Sequence, residues 1–424
     1  MKNLRAIEYI TMNAYWFGLA YLWNGMHVII LPSLLLRFVP ENLKNTYLGF
    51  LTFIGLVLAM LVQPISGAIS DRSASRWGRR RPLILLGTVL DFVFIAGLAL
   101  STNYWMVFVS YFFLQLASNT AHGPAQGFIP DLVPEDKRGL LSGIKNLADI
   151  GGLIVGSLAA AYFMGSSPPN TIGALFSICA VLFVCAAITL TVHEQPQTMD
   201  QRTPLGESIA ESIRRTFQID YRLYPDYVWL IASRFLILLG IYAIQGFAQY
   251  YIRDVLRAPN PEGFTGSLVA IIGIFVFLLS LPAGYLADRV GRKPLIYLAG
   301  LVAAVAAFVL QFPRSFTGLA ICGGFIGMAL GIFLSANWAL ATDLIPKTEA
   351  GKYLGLSNLA TAGAGATSRL IGPLIDTFNM LSPNLGYTLL FVIAAGVILA
   401  GTTLLHKVQV KSGFSCKIGD VGTL

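Results

Sequence analysis

Long apolar runs dominate this chain and constrain its fold more than any other feature. A helix needs about 20 mostly apolar residues to cross a bilayer. Twelve runs of that order follow one another, at 9–36, 46–70, 82–101, 104–130, 139–164, 171–192, 226–252, 265–287, 294–312, 316–341, 352–377 and 384–406. They are continuously apolar and do not alternate in short segments, so helices are expected and barrel strands are not. The composition agrees, with 55% hydrophobic and 12% charged residues and a mean hydropathy of +0.69. A soluble fold of 424 residues has nowhere to bury so much apolar surface, which sets soluble enzymes aside. The start, MKNLRAIEYI, has the charge of a signal peptide. The apolar stretch behind it, Tyr9 to about Phe38, is too long for one and lacks a small-residue cleavage site, so it reads as a first span that stays.

The sequence pI of about 9.3 suggests nucleic acid until the basic residues are located. With the N-terminus placed in the cytoplasm, inner segments hold 21 of the 29 Lys and Arg and outer segments hold 5. Lys145, Arg234 and Arg369 lie within spans. This is positive-inside sorting, so the charge is topological and no nucleic-acid partner is expected. A multi-pass protein of the cell membrane with both termini in the cytoplasm follows. The cysteines, Cys179, Cys185, Cys322 and Cys416, lack zinc-ligand spacing. They read as buried free thiols, and no metal or cofactor is expected.

The long polar segment 193–225 divides the spans six and six. Within it Leu205, Ile209, Ile213 and Phe217 recur every fourth residue behind Thr203-Pro204, which predicts a short helix lying on the inner membrane surface. The expected organisation is a six-helix bundle at 1–192, this linker, a second bundle at 226–407 and a cytoplasmic tail at 408–424. The halves are related. GAISDR at 67–72 recurs as GYLADR at 284–289, GRRRP at 78–82 as GRKP at 291–294, and DLVPEDKRGLLSGIKNLA at 131–148 as DLIPKTEAGKYLGLSNLA at 343–360. Six-span repeats facing the same way are the sign of a transporter with its site between the halves.

The loop SDRSASRWGRRRPLI, 70–84, resembles the signature loop of the major facilitator superfamily. In its expanded form it is similar to the branch of sucrose transporters, near the glycoside-pentoside-hexuronide:cation symporters. Trp23 with Pro32, and LASNTAHGPAQGFIPDL at 116–132, fit the same branch. Gln115 and Gln126 stand where plant sucrose transporters carry an acidic residue and an arginine. The resemblance implies an all-α membrane fold of twelve helices in two pseudo-repeats. It also implies that Asp71, with Arg72, Gly78, Arg79 and Arg80, faces the N-terminus of span eleven across the bundle interface. There a carboxylate meets the positive end of a helix dipole. Asp288, Arg289 and Arg292 would do the same against span five, and such contacts bias the outward-facing state.

Charges inside spans point to function. Asp91, Lys145 and Asp149 align with uncharged Ala303, Ser357 and Thr361 in the other half, so the fold itself does not require them. Lys145 and Asp149 are i,i+4 on one face of span five, and Asp149 lies about 15 Å deep. The pair is either a proton-coupling site or a permanent structural pair. Asp91, on span three, is expected to make a structural bond to a neighbouring helix. Sugar sites join flat apolar faces to forked hydrogen-bonding groups. The candidates are Trp23, Asn24, His27, Gln115, Asn119, His122, Gln245, Gln249, Asn337 and Trp338. Trp16 and Trp105 read as interfacial anchors.

The expected function is secondary active transport by a monomer, a proton-coupled symport of a disaccharide or related glycoside. Uniport or drug efflux on the same fold is the alternative, and a non-transporting receptor or assembly factor a more distant one. No G-x-x-x-x-G-K-[ST] loop is present, so a nucleotide-driven pump is not expected, nor is an enzyme.

Overall fold

The computed structural model describes residues 6–73, 75–134, 137–194, 224–345 and 350–409. The helix expected at 205–217 and the tail beyond 409 lie outside these residues.

Twelve membrane-crossing helices form two bundles. α1 covers 6–35, α2 is Lys44–Asp71, α3 Arg81–Ala99, α4 Tyr104–Gln126, α5 Arg138–Met164 and α6 Thr171–Leu190. α7 is Pro225–Asp254, α8 Pro261–Val290, α9 Arg292–Val309, α10 Phe316–Asp343, α11 covers 350–381 and α12 is Leu385–Leu404. Asparagine or serine starts several of them. The Asn103, Asn170, Asn260 and Ser315 side chains accept from the backbone amides of Met106, Gly173, Gly263 and Gly318. Ten of the twelve are long and apolar enough to cross a membrane on those grounds alone. The exceptions are α4, which carries Gln115, Asn119 and His122, and α11, which is interrupted by a 3₁₀ turn at Arg369–Ile371.

The interruptions have local causes. Pro32 lacks the N–H that would bond the Val28 carbonyl, and α1 loosens into a π turn over Met26–Ile30, with the Leu31 amide donating to Met26. Pro373 likewise cannot donate to the Arg369 carbonyl, and α11 tightens there.

Within the first bundle α1 packs on α5, and α4 on α2 and α3. In the second, α8 packs on α10 and α7 on α12. The bundles meet along α5 with α8 and along α2 with α11. Leu61, Val93, Phe176, Leu281 and Val305 point outward and are largely exposed, as a lipid-facing surface requires. The face bearing the 72–80 loop is called the basic face below, and its counterpart the opposing face.

Candidate functional site

At the opposing face the two bundles are bonded together. Lys44 pairs with Asp254 at 2.7 Å and Arg253 with Glu41 at 2.7 Å. Asp376 accepts from the Asn45 side chain at 2.7 Å and from the Thr46 amide at 2.6 Å. The Tyr250 hydroxyl donates to the Pro32 carbonyl, and Ser33 donates to Glu262 while meeting the Gln249 amide. At the basic face the ion pairs of Arg79 and Arg80 and those of Asp288, Arg292 and Asp343 each stay within one bundle. Among the described residues the interface is therefore closed at one end and open at the other. The seal was not read from the sequence, where Glu41, Lys44, Arg253 and Asp254 were only charges at helix ends. Asp376→Ala removes both bonds from α2 and is expected to raise, several-fold, the labelling rate of a cysteine at buried Ile29 by an impermeant thiol reagent.

From the open end a cavity of about 1080 Å³ rises between the bundles. Its wall includes Trp16, Trp23, Gln63, His122, Lys145 and Asp149, with Asn358 from α11. A second cavity of about 430 Å³ adjoins it and runs between α5, α7, α8 and α10. That one is mostly apolar, with Asn24, Asp149, Tyr242, Gln245, Tyr251 and Thr265 as its polar lining. Asp149 lines both.

Lys145 Nζ lies 2.9 Å from Asp149 Oδ2, as the i,i+4 spacing predicts. Lys145 also sits 3.8 Å from the centroid of the Trp16 ring, a cation–π contact. Trp16 in turn meets His122 edge-on, with ring centroids 5.0 Å apart. Trp16 is thus a buried wall of the cavity and not the interfacial anchor expected of it. The reason is depth, because α1 begins ten residues earlier, at Ala6, and carries Trp16 about 15 Å along the helix axis. Trp105, at the start of α4, is exposed.

Beyond this pair His27 of α1 and the polar candidates of α4 form one network. His27 Nε2 lies 2.8 Å from the Tyr111 hydroxyl, to which Gln115 donates at 2.7 Å. Asn119 donates to Gln115 Oε1, and Gln63 of α2 donates to Asn119 and approaches His122. Gln126 donates to Gln63 Oε1. Trp23 stacks on His27 at 4.9 Å. Asn119 and His122, three residues apart on α4, share a face and the partner Gln63. Asn24 and His27 do not, since Asn24 faces the second cavity and His27 turns to α4. Gln63 and Tyr111 were missed. Tyr111 stands i,i+4 from Gln115, a signal the sequence contained.

The remaining candidates lie apart. Asn337 is buried and accepts from Arg234, which also donates to Thr361. Thr361 is the repeat counterpart of Asp149, so the second half places its charge on α7 where the first places it on α5. Gln249 belongs to the opposing-face seal, and Trp338 is on neither cavity wall. Asp91 is fully buried on α3, and neither carboxyl oxygen has a hydrogen-bond partner. The expected structural bond is therefore absent. The Tyr15 hydroxyl of α1 instead pairs with Thr88, one turn earlier, at 2.9 Å.

The 72–80 loop clamps its own bundle. Arg80, 5% exposed, pairs with Asp71 at 2.5 Å and with Asp131, just past the end of α4, at 2.9 Å, and Arg79 also reaches Asp131. The amides of Arg80 and Arg81 donate to Glu194. Gly78 holds φ at +100°, a turn that an L side chain rarely adopts, and its repeat partner Gly291 holds +98°. The repeat extends to the pairing itself, because Arg292 matches Arg80 and bonds Asp343, which matches Asp131. Asp71 lines the large cavity with its carboxylate turned to Arg80. Arg289 lies over the Tyr285 ring on the second bundle.

The fold and sequence have known counterparts. The D-xylose–proton symporter superposes with a TM-score of 0.73 at 19% identity, over 96% of this chain and 99% of that one. The multidrug resistance protein MdtG of Klebsiella pneumoniae (strain 342) is 22% identical over 392 residues, covering 91% of this chain and 90% of that protein. The multi-drug resistance efflux pump PmrA of Streptococcus pneumoniae serotype 4 is 21% identical over 401 residues, covering 90% and 92%. Residues 17–384 match the family described as MFS/sugar transport protein. With two six-helix repeats around a cavity open at one end, the chain is a multi-pass membrane transporter and belongs to that family.

Proposed function

We propose that the protein carries a sugar, a disaccharide or related glycoside, together with a proton by alternating access, as a monomer in the cell membrane. One observation carries this reading. Among the described residues the cavity of about 1080 Å³ between the bundles opens at the basic face and is sealed at the other, and a carrier that exposes its site to one side at a time requires such a cavity. Its wall sets the faces of Trp16 and Trp23 beside Gln63, His122 and Asn358, the pairing of flat and forked groups that suits a sugar. Asp149 supplies a carboxylate on the same wall that can take and release a proton.

The bundles at 1–192 and 226–407 rock against each other in this reading, joined by 193–225. The split of basic residues supports placing the basic face, both termini and the linker in the cytoplasm, which makes this structure the inward-facing state. A cysteine at Asn384, in the opposing-face turn between α11 and α12, is then expected to react with an impermeant thiol reagent in intact cells. Labelling only after permeabilisation overturns the orientation.

Efflux of apolar compounds is the second reading. It is favoured by the largely apolar cavity of about 430 Å³ and by the likeness to multidrug resistance and efflux proteins. Counterflow in proteoliposomes against a panel of sugars and apolar cations, with and without a pH gradient, separates the two. Sugar exchange with proton-driven accumulation supports symport, and extrusion of apolar cations without sugar exchange overturns it.

A further inference from the structure

The smaller cavity is out of character for a site that holds a sugar alone. A sugar needs hydrogen-bonding groups around its whole edge, and here they are few. Of the polar lining, Tyr251 and Thr265 donate their hydroxyls to the backbone carbonyls of Leu310 and Pro261. The rest of the wall is mainly aliphatic, with Leu268, Ile272, Ile326 and Leu330 among it. Packed interiors leave few voids larger than a water molecule, so a cavity of about 430 Å³ needs a cause beyond loose packing.

The internal repeat shows that the fold does not require it. Gly323 and Leu334 of α10 are both on its wall, and they match Tyr111 and His122 of α4. In the first bundle Tyr111 is buried with its ring on Gly55 of α2, and it meets His27 of α1. His122 there approaches Gln63 of α2. The space between α1, α2 and α4 is thus filled by a ring and a polar network. The matching space between α7, α8 and α10 is open, and a glycine and a leucine line it instead.

The position of the cavity indicates its use. Ala20 and Asp149 line both cavities and mark where they meet. From there the smaller one runs toward the opposing-face ends of α9 and α10, where Leu310 and Leu319 line it. Tyr251 and Phe391, edge to face with ring centroids 4.8 Å apart, stand at that end. A molecule in the large cavity therefore reaches the apolar wall with the part of it that passes Asp149.

We propose that the smaller cavity takes the aglycone of the transported glycoside, an apolar group of one or two fused rings, while the sugar stays in the large cavity beside Trp16 and Trp23. This rests on the sugar reading and deepens it, from a sugar to a sugar that bears an apolar group. It assigns the apolar cavity to one part of a single substrate and not to a separate drug. Volume sets the limit. An apolar cavity of about 150 Å³ takes up a benzene ring, so about three times that space suits two fused rings and not four.

The test is counterflow in proteoliposomes with the methyl, phenyl, naphthyl and pyrenyl β-glucosides, β-galactosides and β-maltosides. Ethidium serves as an apolar compound without a sugar. The half-saturating concentration is expected to fall at least about tenfold from the methyl to the naphthyl glycoside, as burial of an aromatic group implies, and to rise again at the pyrenyl glycoside. Ala248→Phe brings a ring into the cavity from α7. It is expected to shrink the methyl-to-naphthyl gap to about twofold or less, because the apolar area is then covered already. The size series on wild type decides the matter if Ala248→Phe does not fold. A gap that keeps growing to the pyrenyl glycoside, or that survives in Ala248→Phe, belongs to the bilayer and overturns the inference. Equal half-saturation by methyl and naphthyl glycosides also overturns it and leaves the sugar reading standing. Exchange of ethidium without any glycoside, or no exchange in any arm, overturns both.

Discussion

Asp149→Asn is expected to abolish uphill accumulation while exchange persists within about tenfold of wild type, a barrier change of no more than about 1.4 kcal/mol. Exchange needs only that the loaded carrier reorients, whereas accumulation needs a proton to bind and leave in every cycle. Asparagine keeps the shape of the side chain and cannot titrate. The geometry places this carboxylate where both events can be linked. It lines both cavities, and its side chain is about a third exposed. One oxygen is held by Lys145, and no hydrogen bond is seen to the other among the described residues. Lys145 in turn rests on Trp16, whose edge contact reaches His122 and so the amide network of α4 and α2. A change in charge at Asp149 therefore falls beside groups suited to hold the substrate. Proton-driven uptake and equilibrium exchange measured on the same variant decide the matter. Uptake against a gradient by Asp149→Asn would move coupling to another group.

The sequence carried the helices and part of the site for different reasons. Ten spans are legible from length and apolarity, because lipid imposes both on any helix that crosses it. The other two, α4 and α11, are where polar groups replace apolar ones, and they also carry much of the site. Their side chains are tolerated because they satisfy one another across helices, as Gln115, Tyr111 and His27 do. Those partnerships depend on which helix faces are brought together, and a local pattern does not encode that. Lys145 and Asp149 were legible because their contact lies within one helix and follows its period. Trp16 was misplaced because closeness to the start of a run was read as closeness to the membrane surface. The bonded seal at the opposing face was hidden for the opposite reason. Lys44 and Asp254 lie at ends of different helices, and only packing makes a pair of them.

Arg80→Gln and Asp71→Asn should separate two roles that the signature loop combines. Arg80 is the hub of a clamp. Its guanidinium is buried between the Asp71 and Asp131 carboxylates, and its backbone amide and that of Arg81 hold Glu194. Its removal leaves Asp131 with Arg79 alone at the end of α4 and strips Asp71 of the cation it meets here. Losing charge-assisted bonds to partly exposed carboxylates, one of which keeps Arg79, costs on the order of 1.5–3 kcal/mol. Arg80→Gln is therefore expected to lower the thermal unfolding midpoint in detergent sharply. Asp71 is a different case, since its side chain is about half exposed and bonds only one edge of Arg80. Asp71→Asn keeps the Arg80–Asp131 pair and should leave the unfolding midpoint close to wild type. Its effect should fall on the conformational equilibrium. In this state, open at the basic face, the Asp71 carboxylate turns to Arg80. When the cavity closes there it is expected to turn to the N-terminus of α11, where the helix dipole favours a negative charge by about 0.3–1 kcal/mol. Loss of that term favours the state seen here by a factor of about two to five. Cysteine cross-linking across the basic face, between α2 and α11, measures the closed fraction, and an unchanged fraction in Asp71→Asn would confine the aspartate to the clamp.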